Sequence, residues 1–200
     1  YSSAASDVYK RQGLVAPLAD QEFRDLIYYL SRPGQSPMLA TSDTSSLFFN
    51  GTDLSLWHGD ESTWNVFDGE IVAKASSVNA ENRHLRSDLI AGDFRLVLQF
   101  RLKTLNSAGG VASRAEPAPD GGVRGYWIGF TPDSWGMLTE EGGRGALRRD
   151  SNPAGANADA WNILEILAVG SRIRTALNGR ASLDFEDPSG ARQGLIALRL

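Results

Sequence analysis

"DFRLVLQFRL", residues 93–102, decides the fold. Phe94, Leu96, Leu98, Phe100 and Leu102 alternate with Arg95, Val97, Gln99 and Arg101. Side chains on a strand point to opposite faces with period two, so this spacing predicts one buried face and one wet face. Working outward, further strand signals fall at 64–67, 69–74, 109–114, 123–131, 160–168, 171–177, 181–186 and 194–199. Asp68-Gly69 between two of them is a hairpin signal. Many short strands without intervening helices predict an all-β, antiparallel sandwich or barrel.

The segment 171–186 can be read more closely. Ile173, Thr175 and Leu177 share one strand face, and Ala181, Leu183 and Phe185 share another. A two-residue Asn178-Gly179 turn puts these sets on opposite faces; a three-residue loop, Asn178 to Arg180, puts them on one. The spacing therefore predicts the three-residue loop, with Arg174 across from Asp184 and Arg172 across from Glu186.

The 200 residues suffice for one domain with a sizeable core. A net charge of −4 without a basic stripe argues against a nucleic-acid partner. There is no apolar run long enough to span a membrane. The chain has no cysteine, which excludes disulfides, a thiolate nucleophile and Cys-bound zinc or haem within it. Tyr1 in place of Met, and Leu200 ending inside a strand pattern, read as a chain cut at both ends, with the C-terminal strand truncated.

Residues 1–12 are polar and aperiodic, a disordered or non-native leader. Leu18, Phe23, Leu26, Ile27 and Leu30 then fall on one face of a short helix within 13–32, with Asp20 as cap and Arg32-Pro33-Gly34 as stop. This helix, "LADQEFRDLIYYL", resembles the last helix of a c-type cytochrome domain. That resemblance implies an upstream cytochrome-like partner domain, to which any haem would belong. Residues 33–45, rich in Pro, Ser and Thr, form a linker.

From 46 onward several phrases stand in order: "SLFFNGTDLSLW" (46–57), "WNVFDGEIVA" (64–73), "LRSDLIAGDFRLVLQFRL" (85–102), "WNILEILAVGSRIRTALNG" (161–179) and "GLIAL" (194–198). Together they resemble the 3-keto-disaccharide hydrolase domain family over residues 46–200. The resemblance implies a concanavalin-like jelly roll with a sugar-binding groove on its concave sheet, a carbohydrate ligand, and export to the periplasm or beyond. The chain departs from the family at three places. "NSAGGVASR" (106–114) keeps Arg114 but moves the Asn two residues further away. Gly129 stands where a carboxylate is expected, and Arg199 stands where the family has Gln.

A 3-keto sugar has an acidified C2 proton, so cleavage needs one base and one stabiliser of the enolate oxygen. Glu165, in the middle of an otherwise apolar strand, is the candidate base, because an unpaired carboxylate there is costly. It is equally read as half of a structural ion pair with an Arg such as Arg114. Arg114 is the candidate enolate or sugar-oxygen ligand. Trp161, Tyr126, Trp135 and Trp127 are candidates for stacking on sugar rings, although aromatics in β-proteins are more often core. Asn162 either touches substrate or bonds locally at its strand start. His58 and His84 lack the carboxylate spacing of a metal site. No metal ligand is assigned and no cofactor is evident, and a divalent metal is left open. Three readings follow: a glycoside-cleaving enzyme using Glu165 and Arg114, a non-catalytic carbohydrate-binding module, and a docking domain of a multidomain redox protein.

Overall fold

The chain divides into two units, Tyr1–Ser36 and Pro37–Leu200. The structure, a computed structural model, describes residue 19 and residues 45–74, 83–103, 109–119, 121–130, 136–148, 157 and 159–200. The expected leader, the cytochrome-like helix (Ala19 apart), the linker before Ser45 and Trp135 lie outside the described residues.

Two antiparallel sheets face one another. The larger has seven strands: β1 (Trp57–His58), β4 (His84–Ala91), β13 (Gly194–Arg199), β6 (Gly110–Pro117), β7 (Val123–Gly129), β8 (Leu138–Glu141) and β9 (Gly145–Arg148), in that spatial order. The smaller has β12 (Arg180–Glu186), β11 (Arg172–Leu177), β10 (Asn162–Val169) and β5 (Phe94–Phe100). A separate hairpin joins β2 (Trp64–Phe67) to β3 (Glu70–Ala73). Asp68 and Gly69, with φ of 53° and 75°, make its predicted turn; positive φ at both central residues suits the twist of the flanking strands. The architecture is all-β and antiparallel, the sandwich of the two forms that the period-two spacing allowed, and of the jelly-roll type that the family resemblance implied.

Val111, Tyr126, Ile128, Leu138 and Ile196 of the larger sheet meet Leu164, Ile166, Ala168, Ile173 and Leu183 of the smaller in one core. Every second residue of β10 points inward, so Asn162, Leu164, Ile166 and Ala168 are buried. Trp161, Ile163, Glu165, Leu167 and Val169 therefore lie on the outer face of the smaller sheet.

The β11–β12 turn differs from the expectation. Leu177 pairs directly with Arg180, and Ala176 with Ala181, across a two-residue turn. Asn178 and Gly179 have φ of 49° and 77°, the geometry that an Asn-Gly turn favours. Beyond it, Thr175 pairs with Leu183, so Ser182 is the extra residue of a β-bulge. The bulge returns Leu183 to the core face and leaves Ala181 outside. Arg174 still stands across from Asp184, and Arg172 from Glu186, as predicted.

Candidate functional site

The groove is built from the outer face of the seven-stranded sheet. In β4, Leu85 points into the core, so His84 and Arg86 point the other way. Arg86, Ala197, Ala112, Trp127 and Thr139 are successive cross-strand neighbours over five strands. His84, Arg199, Gly110 and Gly129 form the adjacent row. The floor is small: Ala112 and Ala197 are fully buried, and a Cβ at Gly110 would collide with Nε1 of Trp127. The Trp127 indole thus lies across Gly110.

The curvature of this face follows from one contact. Four ladder steps, about 19 Å along the sheet at ~4.8 Å per strand, separate β4 from β8. Yet His84 Nε2 stands 3.5 Å from Glu141 Oε2. Two such side chains cannot span a flat sheet of that width, so the face is concave. Glu141 Oε1 also accepts an ion pair from Arg199 at 3.0 Å, and the Arg199 guanidinium stacks 4.8 Å from the Trp127 ring centroid. Burial pushes the Glu141 carboxyl up, but the approaching imidazole and the charges of Arg199, His84 and Arg83 outweigh it and hold the carboxyl below its usual range. Burial pulls the Arg199 guanidinium down, helped by Arg83 and opposed by Glu141.

Buried polar side-chain atoms ordinarily find hydrogen-bond partners. Seven among the described residues do not, and five of them fall on this face: His84 Nδ1 and Nε2, Trp127 Nε1, Thr139 Oγ1 and Glu141 Oε2. His84 is only 4% exposed. At the β1–β4 edge, His84 and Arg86 also line a pocket of about 590 Å³ whose other wall is the loop from Asp53 to Glu61.

Of the residues expected from sequence, Trp127 lies in this groove. Glu165 and Arg114 do not meet. Glu165 is on the outer face of the other sheet, paired with Arg95 at 2.5 Å across the β5–β10 ladder. Arg114 is 2% exposed and has a φ of 48°, at a bulge between Ser113 and Glu116. It donates to the carbonyls of Gly92, Gly170 and Ala191 and reaches Asp93 at 3.4 Å, tying three loops together. Trp161 is 43% exposed on the Glu165 face, with the Arg101 guanidinium 4.7 Å from its ring centroid.

Asn162 is buried and bonds locally: it donates to Asn157 and Ala160 and accepts from the Asn157 amide and from Asn178. Tyr126 is a core residue whose hydroxyl donates to Asp187 at 2.6 Å. Burial, reinforced by that bond, pushes its phenol up to about 12. The Arg144 ion pair, aided by Tyr126 and Ser189, holds the Asp187 carboxyl well below its usual range despite burial. Arg144 also pairs with Glu140.

His84, Glu141 and Thr139 were missed because β4 and β8 were not read as strands. The period-two sets His84/Arg86/Asp88 and Thr139/Glu141 were the available signal. Among the described residues no cluster of His, Asp and Glu has the makings of a metal site, and no helix is long and apolar enough to cross a membrane.

Solved structures with the same sandwich include a candidate glycosyl hydrolase from Parabacteroides distasonis, with a TM-score of 0.58 and 14% identity, covering 80% of this chain and 91% of that one. The carbohydrate-binding module CBM66 from Bacillus subtilis matches with a TM-score of 0.58 and 18% identity, covering 72% and 87%. At these identities the likeness is one of fold. No curated protein sequence matches the chain. The family model of the 3-keto-alpha-glucoside-1,2-lyase-like domain matches residues 43–200, nearly the whole of the second unit, in which the groove lies. The chain belongs to the 3-keto-alpha-glucoside-1,2-lyase-like domain family.

Proposed function

We propose that this domain binds a 3-keto-glycoside in the concave groove of the seven-stranded sheet and cleaves it by elimination across C1 and C2. The observation that carries the reading is the cluster of buried, unpartnered polar atoms on that face. The C3 ketone acidifies the C2 proton. A base takes that proton, and the C2–H electrons form the enolate with its charge on the C3 oxygen. The enolate collapses, forms the C1–C2 double bond, restores the ketone and expels the C1 oxygen substituent. Water adding at C1, with a proton returning to C2, would complete a net hydrolysis.

His84 fits the base: a buried imidazole whose Nδ1 has no hydrogen-bond partner and whose Nε2 faces the Glu141 carboxylate at 3.5 Å, which orients the ring. Arg199 fits the cation for the enolate oxygen, and Trp127 the platform for the ring. These are the roles that the sequence suggested for Glu165 and Arg114. The family assignment supports the substrate class and a periplasmic or extracellular location. One observation favours a second reading, carbohydrate binding without chemistry: Glu141, the carboxylate of this cluster, is engaged by Arg199, and Gly129 offers none.

The test is product formation from a 3-keto-disaccharide and from its unoxidised parent, with wild type, His84→Gln and Glu165→Gln proteins shown to be folded. Cleavage of the keto sugar alone, lost in His84→Gln and kept in Glu165→Gln, is expected. Binding of both sugars without cleavage would instead establish the second reading.

A further inference from the structure

We infer that Thr139 is a specificity-determining residue of the groove: its hydroxyl reads the substituent on C5 of the keto ring and selects a ring that carries a C6 hydroxyl. The inference rests on the groove reading above. Leu138 points into the core, so its neighbour Thr139 points onto the groove face. There it is the direct cross-strand neighbour of Trp127 in β7, and Ala146 of β9 stands on its other side. Leu147 is the extra residue of a β-bulge at this point of the β8–β9 pair. Such bulges re-aim side chains and gather beside active sites.

The Thr139 hydroxyl is buried and has no hydrogen-bond partner among the described residues. A hydroxyl can donate one hydrogen bond and accept two, and a buried one left empty costs free energy. Its neighbours do not fill it. The Ala146 side chain is a methyl group. The Trp127 Nε1 lies across Gly110, on a strand two places from β8, and is itself unpartnered. Glu141, two residues along the same face of β8, is turned to His84 and Arg199. The hydroxyl is thus left for whatever rests against Trp127.

The order of the strands decides which sugar group that is. His84 is on β4 and Arg199 on β13, whereas Thr139 on β8 lies on the opposite side of Trp127. In the elimination the C2 proton must face His84 and the C3 oxygen must face Arg199. The C2–C3 edge of the ring therefore points toward β13 and β4. In a pyranose ring C2 lies opposite C5, and C3 lies opposite the ring oxygen. The edge toward Thr139 is then C5 and the ring oxygen, and the group that hangs from it is the C6 hydroxymethyl. Its hydroxyl both donates and accepts, as the Thr139 hydroxyl does. A methyl group or a hydrogen in its place would leave Thr139 empty.

The experiment compares kcat/KM for methyl 3-keto-α-D-glucopyranoside and for its 6-deoxy analogue, with wild type, Thr139→Ser and Thr139→Val. Val is β-branched like Thr and suits a strand, so Thr139→Val should fold, and its urea midpoint checks this. On the parent glycoside Thr139→Val is expected to lower kcat/KM about tenfold, while Thr139→Ser, which keeps the hydroxyl, stays within about threefold. Wild type should lose about the same tenfold on the 6-deoxy sugar, and Thr139→Val should lose nothing further there, because the partner is already gone. Equal losses in Thr139→Val on the two sugars, or no loss on either, would overturn the role of Thr139 and leave the groove standing. Failure of wild type to process either sugar would overturn the groove reading and this inference with it.

Discussion

Arg199 lies with its guanidinium 4.8 Å from the Trp127 ring centroid while one of its nitrogens holds Glu141 at 3.0 Å. The indole face that a sugar would stack on is therefore already covered. A cation–π contact in a partly desolvated place is worth about 1–2 kcal/mol. Arg199→Gln should remove that competitor and tighten binding of methyl 3-keto-α-D-glucopyranoside by up to about tenfold. The same variant loses the cation for the enolate oxygen, so kcat should fall by about 10²-fold. Calorimetric titration beside steady-state kinetics reads the two effects separately. A fall in both affinity and kcat would mean that Arg199 holds the sugar directly in the ground state.

His84 and Glu165 make opposite predictions for turnover. Loss of a positioned base costs about 10²–10⁴-fold in rate, and His84→Gln should show it with sugar binding largely kept. Glu165 is tied to Arg95, whose side chain is 64% exposed. Such an exposed pair contributes less than about 1 kcal/mol to stability. Glu165→Gln should therefore change the urea midpoint little and leave kcat/KM within about twofold.

Arg114 should matter to stability and not to the sugar. Its planar fork satisfies carbonyls of three loops at once, from Gly92, Gly170 and Ala191. Lys has one ammonium and cannot match that fork. Arg114→Lys should destabilise by about 2–3 kcal/mol by leaving buried carbonyls unpaired, seen as a lower urea midpoint. Affinity for the methyl glycoside should be unchanged in the protein that remains folded.

These contrasts bear on what a sequence can disclose. The strand at Phe94–Phe100 and the Asp68-Gly69 turn were legible because period two and turn chemistry are local. The β11–β12 turn was misread because the bulge at Ser182 restores the core face without any local mark. Glu165 was conspicuous in its strand, but its partner Arg95 sits on a neighbouring strand far away in sequence. The pairing register, which one sequence does not contain, decides that contact. His84 and Glu141 are brought together by the curvature of a sheet four strands wide. No spacing along the chain encodes that approach.

The buried Asp187 gives the fold an acid-side dependence. Its carboxyl is held below the unfolded value of about 3.9 by Arg144, with Tyr126 and Ser189 assisting. A depressed folded pKa contributes stability that is fully present above the unfolded pKa and is lost as pH falls through the folded one. The wild-type urea midpoint should thus begin to fall below about pH 4. Asp187→Asn should lower the midpoint at pH 7 and flatten the fall below pH 4, and the difference between the two curves isolates this carboxyl. On the alkaline side the sign reverses for Tyr126. Its phenol is raised to about 12, so its contribution is present below the unfolded value near 10 and is lost as pH rises through the folded one. Tyr126→Phe should remove that alkaline limb.

Gly110 tests the groove through its floor. A methyl group there would strike Nε1 of Trp127 and the backbone carbonyl of Ile128. The carbonyl belongs to the β6–β7 ladder and resists movement, whereas the indole is a side chain and can swing. Gly110→Ala should therefore displace Trp127 and also strain the β6–β7 ladder at the Ile128 carbonyl, at a cost of about 3 kcal/mol or more for the added methyl in a filled space. With the ring moved, Arg199 loses its stacking partner and keeps Glu141. Sugar affinity should drop, because a sugar that displaces the Arg199 guanidinium then finds no ring to stack on. The near-ultraviolet circular dichroism of the unliganded variant should change, with far-ultraviolet bands retained, showing that an aromatic side chain moved while the sandwich stayed folded. Unchanged affinity alongside a changed near-ultraviolet spectrum would mean that the ring is not the platform, and the sugar would then have to be sought at the Arg86 side of the groove.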